Sequence, residues 1–386
     1  MVIKKELGKK QTFARELNNE IILKSIRKKP SSLTELTSAL KLSSATVSSI
    51  LTCLLNHNII KVCSTGSING LGRKRVIYSI NDCYGLVVIV SITSLSINIT
   101  ISNMLNETLA SKTREISVYD MKSIYETIIE IKDLLTLENV RDIPVRSIII
   151  SLPGLINKNT GELQVSPQFD KEFFSNKNNL IDIFTKCFHT NVYLENDSKL
   201  MMKGELSYGT FPLSSKGMLI YCDYGIGGAI EFDNKLFLGS RGYAGEVGLI
   251  KVFSDGQENY LDEFISLRAL KETFKAKYNL DISLDDIFKL FNEKDNRVVS
   301  EVLNSASLLA SGIIEMIDVF DLDYFLIGGR VTNFGDLYIN KIREIINKKY
   351  KDVSINFTFN DGKAIIDGAK ETGIEYILKN TLKEIK

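Results

Sequence analysis

Three consecutive cations, Arg73, Lys74 and Arg75, stand beside Gly70 and Gly72. Guanidinium and ammonium groups on a glycine-containing turn can contact DNA phosphates or enter a narrow minor groove. A run of three cations is also common on an ordinary solvated surface. The elements that carry the run therefore decide between these interpretations.

A second group of candidate residues consists of small hydroxyl side chains at the start of a predicted helix. The group contains Ser43, Ser44, Thr46, Ser48 and Ser49. Side chains of this size reach phosphates and base edges without steric conflict, although they carry no strong base code. The hydroxyl pattern is thus compatible with DNA contact and does not prove it.

Helical periodicity and turn residues predict how these two groups are positioned. We expect helices over 12–29 and 44–56, with a short helix between them that begins at a Ser32–Glu35 capping box. A hairpin formed by 59–62 and 73–80 should follow. The order is typical of a winged helix-turn-helix, whose last helix enters the major groove. The alternative is a plain three-helix bundle with a polar face, and the hairpin directly after the third helix favours DNA binding.

The charge is distributed unevenly along the chain. Residues 1–80 carry 14 Lys/Arg and 4 Asp/Glu, a net charge of +10, whereas the remaining residues carry 34 and 43, a net charge of −9. A basic module on an acidic body suggests binding to a polyanion. A basic face that only improves solubility would show the same imbalance.

Composition argues against several other classes of protein. The two histidines, His57 and His189, leave little scope for imidazole catalysis, and the five cysteines include no Cys-x-x-Cys pair. We therefore predict neither a metal site nor a disulfide. No uninterrupted apolar run reaches about 18 residues, and the basic N-terminus lacks the apolar core of a signal peptide. The expected location is the cytoplasm, without membrane contact.

Beyond residue 81, predicted strands alternate with helices, which indicates the α/β class. Polar or glycine residues follow several of these strands. They are Pro153-Gly154, Glu195-Asn196-Asp197, Gly225 to Gly228, and Gly328-Gly329. Ligands of open α/β sheets bind beyond the carboxyl ends of the strands, so we expect these residues to surround a ligand site.

The order of these segments resembles the ROK family (repressors, open reading frames and kinases). The resemblance covers nearly the whole chain and includes a xylose-repressor-like N-terminal module. It rests on the segments 148–154 with Gly161-Glu162, 195–197 with Gly204-Glu205 and Gly209, 225–228, 239–248 and 327–329. It implies a two-lobed actin/hexokinase-like (ribonuclease-H-like) fold with a cleft between the lobes.

The same resemblance implies a set of sugar-binding residues, which are Asn196, Asp197, Glu246 and Glu263. Asp197 matches the carboxylate that takes the proton from the sugar hydroxyl in the family kinases. Leu249 stands where the family has a histidine, and 255–261 lacks the cysteines of the family zinc motif. Without these ligands a zinc ion cannot be held there.

Two phosphate-binding loops of the family kinases are altered. The segment 91–95 contains neither the Asp nor the glycines of the first loop, and Asp223-Tyr224-Gly225 replaces Gly-Thr-Gly in the second. Close approach to phosphate needs glycine, and phosphoryl transfer depends on the placement of charge. We therefore predict no catalytic residue, no cofactor and no enzyme activity.

Taken together, these features predict a repressor of carbohydrate-metabolism genes that binds a double-stranded DNA operator and responds to a sugar or sugar derivative. We expect a homodimer or a dimer of dimers. The predicted units are the DNA-binding domain 1–80, a first lobe 81–195 and a dimerising second lobe 196–370, with a C-terminal helix of about 370–386 packing back on the first lobe. The alternatives are an active sugar kinase that carries a DNA-binding module and a ligand-independent repressor.

Overall fold

The N-terminal part of the chain contains three helices and a small antiparallel sheet. The computed structural model describes residues 15, 17–66, 75–116, 119–166, 179–208, 212, 215–254, 256–358 and 361–385. The first elements are α1 (17–28), α2 (Leu33–Leu40), α3 (Ser44–Asn56), β1 (Ser31–Ser32), β2 (Ile60–Gly66) and β3 (Arg75–Ile80). The sheet order is β1-β3-β2. The three helices and the hairpin are thus confirmed, and β1 is an additional strand that the sequence analysis did not predict.

Local sequence determines the helix-turn-helix. The Ser32 hydroxyl accepts a hydrogen bond from the Glu35 backbone, and the Glu35 carboxylate accepts one from the Ser32 backbone, so the predicted capping box begins α2. Lys41 ends α2 in the left-handed conformation, and Ser43 caps α3. The helices then bury a common apolar core, which contains Ile22, Ile26, Leu36, Val47, Leu51 and Leu54.

The first lobe contains a five-stranded sheet, whose strands are β4 (Leu86–Ile92), β5 (Ser96–Ser102), β6 (Thr108–Glu115), β7 (Val145–Leu152) and β10 (Asn191–Asn196). Their order is β10-β7-β4-β5-β6, in which β10, β7 and β4 are parallel and β5 and β6 run antiparallel. Helices α4 (Met121–Leu134) and α5 (Leu180–Phe188) share a core with one face. Because side chains alternate along a strand, Val88 packs in this core and Val87 on the opposite face.

The second lobe contains a five-stranded sheet, whose strands are β11 (Lys216–Cys222), β12 (Ile226–Phe232), β13 (Lys235–Phe237), β16 (Tyr324–Gly328) and β17 (Ser354–Phe357). Their order is β13-β12-β11-β16-β17. One face shares a buried core with α8 (Leu267–Tyr278), α9 (Leu284–Asn292), α10 (Asn296–Phe320) and α11 (Gly335–Ile346). The two sheets confirm the predicted α/β class and the two lobes.

Short elements connect the strands near the space between the lobes. They are the hairpins β8 (Leu155–Asn157) with β9 (Glu162–Val165) and β14 (Lys251–Ser254) with β15 (Gln257–Tyr260), the helical turn α7 (Asp262–Ile265), and 3₁₀ turns at Asp82–Tyr84, Val247–Leu249 and Arg330–Phe334. Both hairpins, α7 and the turns at Val247–Leu249 and Arg330–Phe334 supply residues that line the cleft between the lobes. The turn at Asp82–Tyr84 does not line it.

Two helices lie between the sheets and connect the lobes. Helix α6 (Asp197–Ser207) packs on β11 and β12, and α12 (Asp361–Glu384) packs on β4 and β7. Where they meet, a Cβ atom on Gly204 would lie 2.0 Å from the Ala364 carbonyl oxygen, and one on Gly368 would lie 1.8 Å from that of Leu200. Only glycine allows this approach. Helix α12 begins at residue 361, earlier than the predicted start near 370.

Helix α10 is, among the described residues, the one helix long and apolar enough to cross a membrane by length and composition. Its buried side chains include Val302, Ala306, Leu309 and Ile313, which belong to the core of the second lobe. The apolar character of α10 therefore has a structural explanation within this fold.

Candidate ligand cleft and nucleic-acid interface

The carboxyl ends of five strands meet at a cleft of about 510 Å³ between the lobes. Strands β4, β7 and β10 reach it from the first lobe, and β11 and β16 reach it from the second. This convergence follows from the parallel strands, whose carboxyl ends share one edge of each sheet. The cleft brings together all four predicted ligand residues, which are Asn196, Asp197, Glu246 and Glu263.

Asn196 organises the cleft mainly through bonds to the protein itself. Its side-chain oxygen accepts a hydrogen bond from the Lys199 backbone at 3.1 Å, and this bond caps α6. The same oxygen accepts a hydrogen bond from the Ser198 hydroxyl at 2.5 Å. Its amide nitrogen donates to the Gly154 carbonyl at 2.9 Å. Asn196 thus connects its own segment after β10 to the Pro153-Gly154 segment after β7.

Asp197 is the first residue of α6 and lines the cleft beside Asn196. Its carboxylate accepts a hydrogen bond from the Ser198 backbone at 2.7 Å. Burial raises the pKa of Asp197 to about 6, with the charges of Glu246 and Asp223 adding to the rise and Lys199 opposing it. The group can accept a hydrogen bond, or a proton, from a hydroxyl placed in the cleft.

Lys199 lies behind the cleft lining and was not predicted from the sequence. Its side chain is buried, and its ammonium group donates to the Gly228 carbonyl and to Glu246 Oε1, both at 2.9 Å. Glu246 is therefore already paired, and Lys199 fixes its position. The available signal was a charged residue two positions after Asp197, inside a helix that begins at the cleft.

Glu263 lies on the exposed rim of the cleft rather than deep in it. Its carboxylate pairs with Arg268 at 2.9 Å, and Arg268 also binds Asp262 at 2.8 Å. Asp262, which the sequence analysis did not single out, accepts from the Ile226 backbone at 2.6 Å. Burial raises the pKa of Asp262, and the bonds from Ile226 and Arg268 oppose the rise.

Glu195, the first residue of the Glu-Asn-Asp segment, is buried away from the cleft lining. Its carboxylate accepts from Lys158 at 2.5 and 2.6 Å and from the Tyr376 hydroxyl at 2.6 Å. Tyr376 stacks on Tyr193 with 3.9 Å between the ring centroids. The segment thus contributes one residue that ties α12 to β10 and two residues that line the cleft.

The two altered phosphate loops both line the cleft, and Arg330 joins them through an ion pair to Asp223 and a hydrogen bond to Ser94. Arg330, directly after the Gly328-Gly329 segment, donates from Nε to both carboxylate oxygens of Asp223 at 3.0 and 3.1 Å. A second nitrogen of Arg330 donates to the Ser94 hydroxyl at 3.2 Å. Asp223 and the 91–95 segment were predicted from the sequence, whereas Arg330, which joins them, was not.

The predicted DNA-reading helix α3 exposes a surface of uncharged side chains. Ser44, Ser48 and Ser49 are exposed, whereas Thr46 is half-buried and shares a 2.8 Å hydrogen bond with Ser43. Ser43 itself caps the helix. The same surface exposes two residues that the sequence analysis did not include, Ala45 and Thr52.

Arg75 opens β3 and is exposed, so it lies on the predicted wing. Arg73 and Lys74, with Gly70 and Gly72, lie outside the described residues. Wing and helix α3 are connected through β2, which pairs with β3 from Ile60 to Gly66.

The chain is similar to known regulators along most of its length. The profile of the ROK family matches residues 90–363. A xylose repressor of Caldicellulosiruptor bescii is 26% identical over 88% of this chain and 89% of its own length. The N-acetylglucosamine repressor of Escherichia coli O157:H7 is 23% identical over 52% of each chain.

Solved structures share the fold. The crystal structure of a ROK family transcriptional regulator, a homologue of the E. coli MLC protein, matches with a TM-score of 0.79 at 20% identity and covers 96% of this chain and 98% of its own. A ROK family glucokinase from Streptomyces griseus, in complex with glucose and AMPPNP, matches with a TM-score of 0.61 at 21% identity. The glucokinase is covered completely, yet it accounts for only 75% of this chain.

Proposed function

This chain belongs to the ROK family, and we propose that it is a sugar-responsive, DNA-binding repressor of carbohydrate genes. One observation carries the proposal, namely the union of a winged helix-turn-helix with a kinase-like cleft in a single chain. The similarity to a xylose repressor and to an N-acetylglucosamine repressor supports the same function.

The cleft senses its ligand without transferring phosphate. Phosphoryl transfer needs backbone amides and cations that are free to hold phosphate oxygens. Here Arg330 is the one cation among the described residues that line the cleft, and Asp223 neutralises it. A triphosphate would have to displace that carboxylate before reaching the guanidinium group.

The effector is a sugar or a sugar derivative, held by Asn196, Asp197, Glu246 and Glu263. Several polar groups that converge in one cleft suit hydroxyl recognition, because a buried group left unpaired costs about 1–3 kcal/mol. Asp197 supplies an acceptor to which no cation among the described residues is bound. Glu246 and Glu263 contribute acceptors whose positions Lys199 and Arg268 fix.

The partner is a double-stranded DNA operator, and the site of action is the cytoplasm. Helix α3 offers Ser43, Ser44, Thr46, Ser48 and Ser49 to the major groove, and the wing offers Arg73, Lys74 and Arg75 to the backbone or the minor groove. A homodimer or dimer of dimers presents two such surfaces to two half-sites. Residues 1–80, 81–195 and 196–370 are the corresponding units, with the second lobe dimerising.

Ligand binding and DNA binding are coupled through helices α6, α12 and α1. Helix α6 begins at Asp197 in the cleft and packs on α12 through Gly204 and Gly368. Helix α12 in turn pairs with α1 through Glu371 and Arg27. A sugar that binds one lobe arrangement better than another shifts the population and moves the DNA-binding units.

Fluorescence anisotropy with labelled DNA from upstream of the neighbouring genes tests this function. We expect tight, salt-dependent binding that one monosaccharide or sugar derivative changes by about fivefold or more. Ser49→Glu on α3 should abolish binding by repelling phosphate, whereas Ser300→Glu, exposed on α10, is the matched control. DNA binding that is insensitive to every sugar would support a ligand-independent repressor instead.

The retained carboxylate of Asp197 favours one rival, an active sugar kinase that carries a DNA-binding module. Incubation with ATP–Mg²⁺ and a panel of hexoses and pentoses, with release of ADP as the readout, separates the two functions. We expect no sugar-dependent release of ADP above the rate without protein. Sugar-dependent turnover would establish the kinase.

A further inference from the structure

Four large apolar side chains that are exposed to solvent line the same cleft. Leu95, Val165, Leu249 and Tyr260 expose 57%, 59%, 59% and 44% of their surface, respectively. Scattered single apolar residues are normal on a protein surface, but several exposed apolar side chains that line one concave site are typical of a binding site for an apolar partner. Because the four side chains line the proposed ligand cleft, they indicate that the ligand has an apolar part.

The four side chains come from separate elements of both lobes. Leu95 lies in the turn between β4 and β5, and Val165 ends β9, both in the first lobe. Leu249 ends a 3₁₀ turn and Tyr260 ends β15, both in the second lobe. An apolar group among them would contact both lobes at once and would favour one lobe arrangement.

The charges of the cleft disfavour an anionic group in this part of the ligand. The carboxylates that line it are Asp197, Asp223, Glu246, Asp262 and Glu263. The cations near them are already paired, Arg330 with Asp223, Lys199 with Glu246, and Arg268 with Asp262 and Glu263. A phosphate would meet repulsion and find no unpaired cation among the described residues of the lining.

The volume of the cleft, about 510 Å³, lies within the range of roughly 300–1,000 Å³ that holds drug-sized ligands. We propose that the effector is a glycoside with an apolar aglycone, either aryl or alkyl. The sugar ring binds at Asn196 and Asp197, and the aglycone lies against Leu95, Leu249 and Tyr260. The inference rests on the proposed sugar-responsive function and names the class of its ligand.

Calorimetry on the full-length protein with matched glycosides tests the inference. The titrants are the methyl and phenyl β-glycosides of xylose, glucose and N-acetylglucosamine. For the sugar that binds, we expect the phenyl glycoside to bind about tenfold or more tightly than the methyl glycoside, because a ring is removed from water. Leu249→Ser and Tyr260→Ser should bring the phenyl glycoside close to the affinity of the methyl glycoside.

Phe253→Ser is the matched control, because Phe253 is 73% exposed on β14, the hairpin partner of β15, and does not line the cleft. It should leave the preference for the phenyl glycoside intact, and all three variants should keep the melting temperature of the parent. Equal loss in Phe253→Ser would overturn the inference, since the preference would then not come from the cleft.

Two further results overturn the inference while leaving the proposed function in place. One is equal affinity for methyl and phenyl glycosides, and the other is tighter binding of a disaccharide than of the phenyl glycoside, provided that the sugar still changes DNA affinity. If no glycoside and no free sugar binds, the inference fails together with sugar sensing. The DNA-binding assay then reports separately on the repressor function.

Discussion

Arg27 on α1 and Glu371 on α12 form a two-point ion pair between the DNA-binding module and the body, with Arg27 Nη1 2.6 Å from Glu371 Oε1. Both side chains are largely buried, and Asn106 of the first lobe donates to the same carboxylate at 3.2 Å. Burial alone would raise the pKa of Glu371, but the bonds from Arg27 and Asn106 lower it below its ordinary value. Helix α6 begins in the cleft and packs on α12, which carries Glu371, so the pair lies at the far end of this series of helix contacts.

Replacing Glu371 by Gln should uncouple sugar binding from DNA binding. The change leaves the Arg27 guanidinium without its carboxylate, so we expect a loss of about 2 kcal/mol in the free energy of unfolding. DNA affinity with and without sugar, measured by anisotropy, should become nearly equal. Lys24→Ala is the control, because the Lys24–Glu20 pair is exposed on the same helix and such pairs contribute about 0–1 kcal/mol.

Acid should weaken the same contact. Because the folded-state pKa of Glu371 is lowered, its contribution to stability is present above the ordinary value of 4.5 and is lost as the pH falls through the folded value. The difference in unfolding free energy between the parent and Glu371→Gln should thus shrink below pH 4.5. A difference that stays constant from pH 7 to pH 3 would contradict the role of the carboxylate charge.

Asp197 should show the opposite dependence on pH. Its pKa is raised from 3.8 to about 6, so the buried charge destabilises the fold fully above pH 6, and the cost disappears as the pH falls towards 3.8. We expect Asp197→Asn to stabilise the protein by about 1–3 kcal/mol at neutral pH. Chemical denaturation of both proteins across this range measures the effect.

The helix contact at Gly368 should tolerate no side chain. Gly368→Ala places a Cβ atom 1.8 Å from the Leu200 carbonyl oxygen, so α6 and α12 must separate, and we expect a loss of about 3 kcal/mol or more. Gly362→Ala on the same helix meets nothing within 4 Å and should stabilise by about 0.5–1 kcal/mol through helix propensity. Similar melting temperatures for the two variants would refute the close packing.

The Arg330–Asp223 pair should behave as a unit. Arg330→Ala leaves the Asp223 carboxylate partly buried and unpaired, with an expected loss of about 2 kcal/mol. The double variant Arg330→Ala with Asp223→Ala should recover part of that loss, because it leaves no unpaired charge. A double-mutant cycle by urea denaturation gives the coupling energy, and additive effects would show that the two residues act independently.

The sequence by itself determined the local elements of this protein and its family. The capping box at Ser32, the hydroxyl cap at Ser43 and the apolar periodicity of α3 act over a few residues, so they could be predicted without knowledge of distant contacts. The polar residues after β10 and β11 likewise indicated a cleft, because parallel strands end at a common edge.

Only the tertiary structure decided how these side chains are paired. Lys199 and Glu246 are 47 positions apart, Asp223 and Arg330 are 107 apart, and Arg27 and Glu371 are 344 apart. No periodicity relates residues at such separations, and each pair depends on how the sheets and the helices α6 and α12 pack. The fold therefore decided that, within the part of the chain that the structure describes, no cation binds Asp197, whereas Glu246 and Glu263 are held by Lys199 and Arg268.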